Sequence, residues 1–330
     1  MSTRPFAVIN GVGVAVPKRI VTNDDLSKSL DTSDEWIRER TGIRERRIAG
    51  PEESLTSLCH AASCAALDRA GLTVADVDAI ICATVSGDRR MPSQACDLQA
   101  SLGALNAAAF DLSAACPGFV YGLTVGEGLI AAGNFRNVLV LGAEKLSTIV
   151  DWTDRSTAIL FGDGAGAAVL QKADDSGRGL LSTFVKADGR LADLLYIPGG
   201  GSSDPVTEEM AKGRRQYMRM AGREVFKAAV LAMAESCDVA LARAGVTAAD
   251  VDLLVPHQAN LRIIESTAKH AGIPMQKVMV NVDRYGNTSA ASIPLALAQA
   301  EEEGRLRRGQ LALLVAFGGG FTWGATVVRW

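Results

Sequence analysis

One cysteine, one histidine and one asparagine stand out in this 330-residue chain as side chains placed to do chemistry. Cys116 lies in Asp111-Leu-Ser-Ala-Ala-Cys116-Pro117-Gly118-Phe119, after an apolar run and before a helical pattern. Proline fits the first position of a helix, where its missing N–H costs no bond, so Pro117 marks a helix start. A thiol at that junction faces unpaired N–H groups and the positive end of the helix dipole, which favour thiolate over thiol. Of the three histidines, His60 falls on an Ala-rich helix and His270 follows Lys269 on a charged, solvated helix end. His257 alone ends an apolar strand, in Val255-Pro-His257-Gln-Ala-Asn260-Leu-Arg262, where Gln258 and Asn260 could fix its orientation. Asn287 lies in a Gly-Asn-Thr-Ser turn within Tyr285-Gly-Asn287-Thr-Ser-Ala-Ala-Ser292-Ile-Pro. A nucleophilic thiol with an imidazole and an amide donor is equipment for covalent acyl transfer.

The elements that must position these groups belong to a large apolar core. Hydrophobic residues make up 48% of the chain and charged ones 22%, an ordinary globular balance without low-complexity tracts. The net charge of −3 gives no support to nucleic-acid binding by the whole molecule. Apolar runs are broken by Asp, Gly or Pro well short of the roughly 20 residues a membrane helix needs, and no signal peptide is evident, so a cytoplasmic location is expected. The six cysteines, at 59, 64, 82, 96, 116 and 237, form no C-x-x-C pair, and a core of this size needs no disulfides. His60 and Cys64 lie four apart beside Cys59, but in so Ala-rich a stretch core packing is expected rather than a metal.

A repeat organises the chain. Ala66-Leu-Asp-Arg69-Ala-Gly71-Leu-Thr-Val-Ala-Asp76-Val-Asp78 matches Ala240-Leu-Ala-Arg243-Ala-Gly245-Val-Thr-Ala-Ala-Asp250-Val-Asp252, with Gly71 and Gly245 174 residues apart. Each copy reads as a helix end, a glycine stop, a turn and an apolar strand, with strands at Ala79–Thr84 and Leu253–Pro256. Ser113-Ala-Ala-Cys116 matches Ser289-Ala-Ala-Ser292 at a spacing of 176, which would set a serine in one half where the other has Cys116. Asn137-Val-Leu-Val-Leu-Gly compares with Leu311-Ala-Leu-Leu-Val-Ala-Phe-Gly, both strands ending at glycine. Alternating strands and helices imply an α/β fold with buried, mostly parallel sheets. The polar stretch from Ala173 to Gly179 divides the halves, at 1–173 and 174–330. Phe161-Gly162-Asp-Gly164-Ala-Gly166 precedes a strand rather than opening a helix, so it reads as a structural turn and not a dinucleotide loop.

These motifs, with Asp31-Thr-Ser-Asp-Glu-Trp36-Ile-Arg-Glu-Arg40-Thr-Gly-Ile and the tail Ala316-Phe-Gly318-Gly319-Gly320-Phe-Thr-Trp-Gly, resemble the β-ketoacyl-acyl carrier protein synthase III family along nearly the whole chain. The resemblance implies a thiolase-like fold of five layers, αβαβα, built from two pseudo-equivalent halves. It implies an initiating condensing enzyme of type II fatty-acid synthesis, in which Cys116 takes an acyl group from acyl-CoA. The backbone N–H groups of Cys116 and Gly319 would then form the oxyanion hole, and His257 Nε2 and the Asn287 amide would stabilise the enolate of decarboxylated malonyl-acyl carrier protein. One suitable histidine fits the initiating type, since elongating relatives use two. Thiolases need a second cysteine near the C-terminus, and none follows Cys237.

Further expectations follow from the same resemblance. Coenzyme A would be bound by Thr32, Trp36, Arg40, Arg155, Gly222, Phe226 and Asn260. The spacing of Trp36 and Arg40 independently puts a stacking ring and a phosphate-binding cation on one helix face. Met91, Leu146, Phe161, Met220 and Phe317 would line the acyl pocket, with Met91 reaching in from the other subunit of a homodimer. Met91 stands where short-primer enzymes have Phe, and its pliable side chain could admit a longer or branched primer. Arg262 and Lys227 would dock the acidic carrier protein, with the basic run from Lys212 to Lys227 as a wider landing patch. Arg223 and Pro117 depart from the usual asparagine and alanine. Neither metal nor cofactor is expected, coenzyme A thioester being substrate. The alternative is a secondary-metabolism acyltransferase or polyketide starter enzyme using the same acyl-cysteine. A silent, carrier-binding paralogue is disfavoured because all three reactive residues are present.

Overall fold

The computed structural model describes residues 5–330. Its first sheet contains β1 (Ala7–Ala15), β2 (Ala79–Ala83), β3 (Ala108–Leu112), β4 (Asn137–Glu144) and β5 (Gly164–Lys172), in the order β1-β5-β4-β2-β3. The second contains β6 (Gly179–Ala187), β7 (Leu253–Pro256), β8 (Leu311–Gly318) and β9 (Thr322–Arg329), in the order β7-β8-β9-β6. The two orders superimpose as β2 on β7, β4 on β8, β5 on β9 and β1 on β6. The place of β3 is taken in the second sheet by a single parallel bridge from Leu254 to Val278.

The sheets are mixed, which corrects the expectation of mostly parallel ones. β2 runs parallel to β3 and β4, and β7 to β8, but β5 is antiparallel to β1 and β4, and β9 to β6 and β8. In the second sheet the reason is local. β8 and β9 are joined only by Gly319, Gly320 and Phe321, too short a link for the helical crossover that parallel neighbours need.

Helices alternate with the sheets. α1 (Asp34–Thr41) lies near the site, while α2 (Leu55–Ala70) packs on β1 and β5, with α3 (Gln94–Leu102) against α2 and β3. α4 (Gly118–Ala131) touches both sheets, and α7 (Ser292–Glu302) touches β1, β5 and β4 on one side and β7 on the other. α5 (Gly222–Ala244) covers β6, β8 and β9, and α6 (Leu261–Ala271) packs on α5 and β7. The result is five layers, αβαβα. Three buried apolar clusters fill the gaps: Leu58, Leu98 and Leu139 outside the first sheet; Phe119, Leu123, Ile293 and Leu297 between the sheets; and Met233, Ile264 and Val315 outside the second.

The repeat holds at a spacing of 174 through the site. Gly71 and Gly245 end α2 and α5 with φ of 67° and 68°, a left-handed turn that glycine adopts without strain. Thr73–Asp76 and Thr247–Asp250 form matching capping boxes. Ala115 and Ser289 both have φ of 49°, and the central helices begin at Gly118 and Ser292. Cys116 therefore corresponds to Ala290. The serine expected at its place from the 176-residue match is two positions out of register. No helix among the described residues is long and apolar enough to cross a membrane.

Candidate active site

Cys116 is held at the start of the buried helix α4. β3 runs into a turn at Ala115, whose carbonyl accepts from the Gly118 N–H at 2.8 Å, and Pro117 caps the helix rather than forming its first residue. From the other half, Thr322 Oγ1 donates to Ala114 O at 2.8 Å. Gly318, at the end of β8, lies against the nucleophile, and a Cβ there would stand 2.7 Å from both Cys116 N and Cys116 Cβ. Ser289 and the N–H groups of Cys116 and Gly319 act to lower the pKa of the sulfur. Burial outweighs them and pushes the thiol up to about 12, with the Glu144 carboxyl adding to the rise. The expected resting thiolate is not found.

His257 continues β7, its N–H donating to Val315 O at 2.8 Å, and its ring is 3% exposed. Burial lowers its pKa to about 3, so the imidazole is neutral at physiological pH. Nδ1 lies 2.6 Å from Ser292 Oγ. Gln258 and Asn260 do not orient the ring, contrary to expectation. Gln258 bonds the carbonyls of Pro256 and Met279 and the N–H groups of Asn281 and Val282. Asn260 caps α6 and donates to Arg40 O at 3.0 Å. A hydroxyl donating to Nδ1 leaves the proton on Nε2, which makes Nε2 a donor.

Asn287 is fixed by its backbone, with its N–H donating to Leu160 O at 2.8 Å and its C=O accepting from Gly162 N–H at 3.0 Å. Its side-chain oxygen accepts from the Ser289 N–H at 2.9 Å, which turns the amide N–H₂ toward the cavity. Cys116, His257 and Asn287 thus meet in one place, on the walls of two cavities. The narrower, about 100 Å³, is also lined by Gly222, Phe226, Asn260, Met220 and Phe317. The wider, about 360 Å³, shares Cys116 and Asn287 and adds Leu146, Ile149, Phe161, Ile197 and Met218. Met220 and Phe317 therefore face the first cavity rather than the pocket containing Leu146 and Phe161. Met91 is 85% exposed and lines neither.

The Arg40 and Arg155 guanidinium groups lie 4.2 and 4.7 Å from the Trp36 ring centre, in a cluster that lines neither cavity but is tied to the narrower one through Asn260. Arg155 also donates to Asp31 O at 2.5 Å, beside Thr32. Arg262 and Lys227 are exposed, and Arg262 Nη2 donates to Glu39 O at 2.7 Å. The basic run beyond them is not one helical face, because Gly213 ends a short helix and α5 starts at Gly222. Much of its charge is already paired, Lys212 with Glu208, Arg214 with Asp151 and Arg215 with Asp204. Phe161 bridges to Asn287, and the Asp163 carboxylate accepts from Ala49 N and Ser147, which makes that turn structural. The supposed core cluster around His60 divides: Cys59 is buried, Cys64 is exposed, and His60 bonds Ser101 at 2.8 Å. His270 is not simply solvated but lies 3.1 Å from Asp238.

Sequence reasoning did not find Ser292, Ser289 or Glu144 as partners of the site. The two serines were visible inside the Asn287 motif, whereas Glu144 gave no signal beyond ending an apolar strand.

Comparison with known proteins places this arrangement. The family described as 3-Oxoacyl-[acyl-carrier-protein (ACP)] synthase III matches residues 110–189, and its C-terminal counterpart matches residues 241–330. The chain is 54% identical to a β-ketoacyl-[acyl-carrier-protein] synthase III of Roseiflexus castenholzii, over 98% of both chains. It is 52% identical to the enzyme of that name from Symbiobacterium thermophilum, over 100% of this chain and 99% of the other. The crystal structure of 3-oxoacyl-[acyl-carrier-protein] synthase III from Aquifex aeolicus is similar with a TM-score of 0.92 and 49% identity, covering 98% of this chain and all of that one.

Proposed function

The chain belongs to the 3-oxoacyl-[acyl-carrier-protein] synthase III family, and from that premise we propose how its own residues divide the chemistry. It is an acyl-transferring condensing enzyme that performs the initiating condensation of fatty-acid synthesis, joining an acyl-CoA primer to malonyl-acyl carrier protein. In the first half-reaction Cys116 Sγ attacks the primer thioester and coenzyme A leaves as its thiol. The tetrahedral oxyanion is received by the N–H groups of Cys116 and Gly319. In the second, the malonyl thioester loses CO₂, and its enolate oxygen is held by His257 Nε2–H and the Asn287 amide. The carbanion attacks the acyl carbon, the Cys116 sulfur departs, and the 3-oxoacyl thioester remains on the carrier. Each step uses thioester and carboxylate chemistry that calls for no metal or redox cofactor.

The observation that carries this reading is the meeting of one thiol with two fixed, neutral N–H donors where two cavities join. The narrow cavity suits a pantetheine arm, with Trp36, Arg40, Arg155 and Thr32 at the nucleotide end and Gly222, Phe226 and Asn260 along its length. The wider, apolar cavity suits the acyl group, with Leu146 and Phe161 on its wall. Arg262 and Lys227, exposed near the tunnel mouth, are assigned to carrier docking. A homodimer belongs to the same reading. β3 is an edge strand bonded only to β2, and Met91, Leu105 and Phe110 beside it are 85%, 80% and 37% exposed. Apolar side chains along an open strand edge are expected to be covered by a second subunit. Met91 would then approach the partner's wide cavity.

The test is intact-protein mass spectrometry after exposure to acyl-CoAs without malonyl donor. Wild type should gain one acyl group and Cys116→Ala none. An adduct persisting on Cys116→Ala would overturn the assignment.

A further inference from the structure

Behind Cys116 lies a buried carboxyl that forms no ion pair among the described residues. Glu144, the last residue of β4, is fully buried. Its neighbour Lys145 turns away and donates to Glu53 O at 2.7 Å. One carboxyl oxygen accepts from Val85 N–H at 3.1 Å, from Thr84 Oγ1 at 3.3 Å and from Ser86 Oγ. The other accepts from Ser289 Oγ at 3.1 Å. The same Ser289 lines the wide cavity beside Cys116 and lowers the pKa of its thiol. Ser289 is pinned between them by its left-handed backbone and by the bond from its N–H to Asn287.

A hydroxyl has one proton to give. While it donates to Glu144, it can only accept from the Cys116 S–H; once that proton has moved, it donates to sulfur and accepts from the carboxylic acid. We propose that Ser289 and Glu144 are the path by which Cys116 loses its proton as it attacks the primer, a step that rests on the acylation role given to Cys116 above. The S–H bond breaks and its proton passes to Ser289 Oγ, whose own proton passes to Glu144. The sulfur electron pair forms the bond to the acyl carbon, the bond from that carbon to the coenzyme A sulfur breaks, and the departing thiolate takes up the displaced proton. Ser289 touches the reacting sulfur; Glu144 acts through it and is a positioning residue.

The chemistry of the groups fits. Burial holds the Glu144 carboxyl up to about 7, and the thiol higher still, so the proton stays on sulfur at rest and moves only as the new bond forms. The other titratable group near the carboxyl is the Cys82 thiol on β2, which Glu144 helps to keep neutral. His257 is not needed as a base, which leaves it neutral and free to donate.

Single-turnover acylation from acyl-CoA tests the path. Glu144→Gln and Ser289→Ala should each slow acylation by about 10²-fold at neutral pH, with the deficit shrinking as pH rises and hydroxide replaces the lost acceptor. The double variant should be no slower than either single one, since both break one path. A proton inventory on wild type in H₂O/D₂O mixtures needs no substitution and should report two protons in flight. Wild-type acylation rates in both variants, a loss equal at every pH, or a linear inventory would overturn the path. Absence of acylation in wild type would instead refute the role of Cys116.

Discussion

In the proposed mechanism the His257 ring is a donor, kept neutral by burial and protonated on Nε2 when Ser292 Oγ donates to Nδ1. Ser292→Ala should therefore slow malonyl decarboxylation and condensation while leaving transfer of the primer to Cys116 close to wild type. His257→Ala and Asn287→Ala should do so by on the order of 10²–10³, the usual loss for a pre-aimed donor. Labelled primer and labelled malonyl donor separate the half-reactions, and equal losses in both would contradict the assignment. Burial of His257 also has a stability signature. Its pKa falls from 6.5 to about 3 on folding, so over that interval the unfolded chain binds more protons and stability drops as pH is lowered. Glu144, raised from 4.5 to about 7, acts in the opposite sense, its contribution being lost as pH rises through 7. His257→Asn removes only the first effect, so its denaturant midpoint should fall less than that of wild type between pH 7 and pH 5. At this scale the sequence singled out Cys116, His257 and Asn287, each in a motif of unusual composition, and the structure brings the three to one cavity wall. The sequence did not reveal Ser292 against His257 or Glu144 against Ser289, because those contacts depend on how separate segments pack in three dimensions.

Among the elements, β8 lies directly against the nucleophile. Gly318→Ala would drive a methyl group into the backbone and Cβ of Cys116, and the turn before α4 would have to shift. Acylation should fall by about 10²-fold even though the thiol remains, because a displacement of about 1 Å can cost that much. Retained acylation together with a folded thermal transition would show that the turn can yield. α6 contributes differently. Arg262→Glu should raise KM for malonyl-acyl carrier protein and weaken its salt dependence while sparing acylation from acyl-CoA, since charges steer encounter over a screening length of about 8 Å. An unchanged KM and salt dependence would move the docking surface elsewhere. Elements were legible where glycine stops and apolar runs recur, as at Gly71 and Gly245. The register through the site was not, because matching serine and alanine letters paired Cys116 with Ser292, whereas the backbone turn at Ala115 pairs with the one at Ser289. Strand direction was equally hidden, being decided in the second sheet by the short link between β8 and β9.

For the molecule as a whole, the five layers followed from resemblance and the repeat, while the proposed second subunit is argued from an uncovered edge. Phe110→Lys should put a charge on that edge and convert a dimer to monomer at micromolar concentration, as read by sedimentation equilibrium. The monomer should also change its ranking of primers, because Met91 of one subunit would no longer reach the other. A dimeric variant with the parental ranking would place the interface elsewhere. The two cavities that meet at Cys116 also govern traffic. On the proposed assignment an acyl chain waits in the wide cavity while both thioester carriers enter through the narrow one, so coenzyme A has to vacate before the carrier arm can enter. The turnover is then an alternation with a queue at one door. A large excess of acyl-CoA would keep that door occupied after the primer has been loaded, and abundant starting material would slow the very elongation it begins.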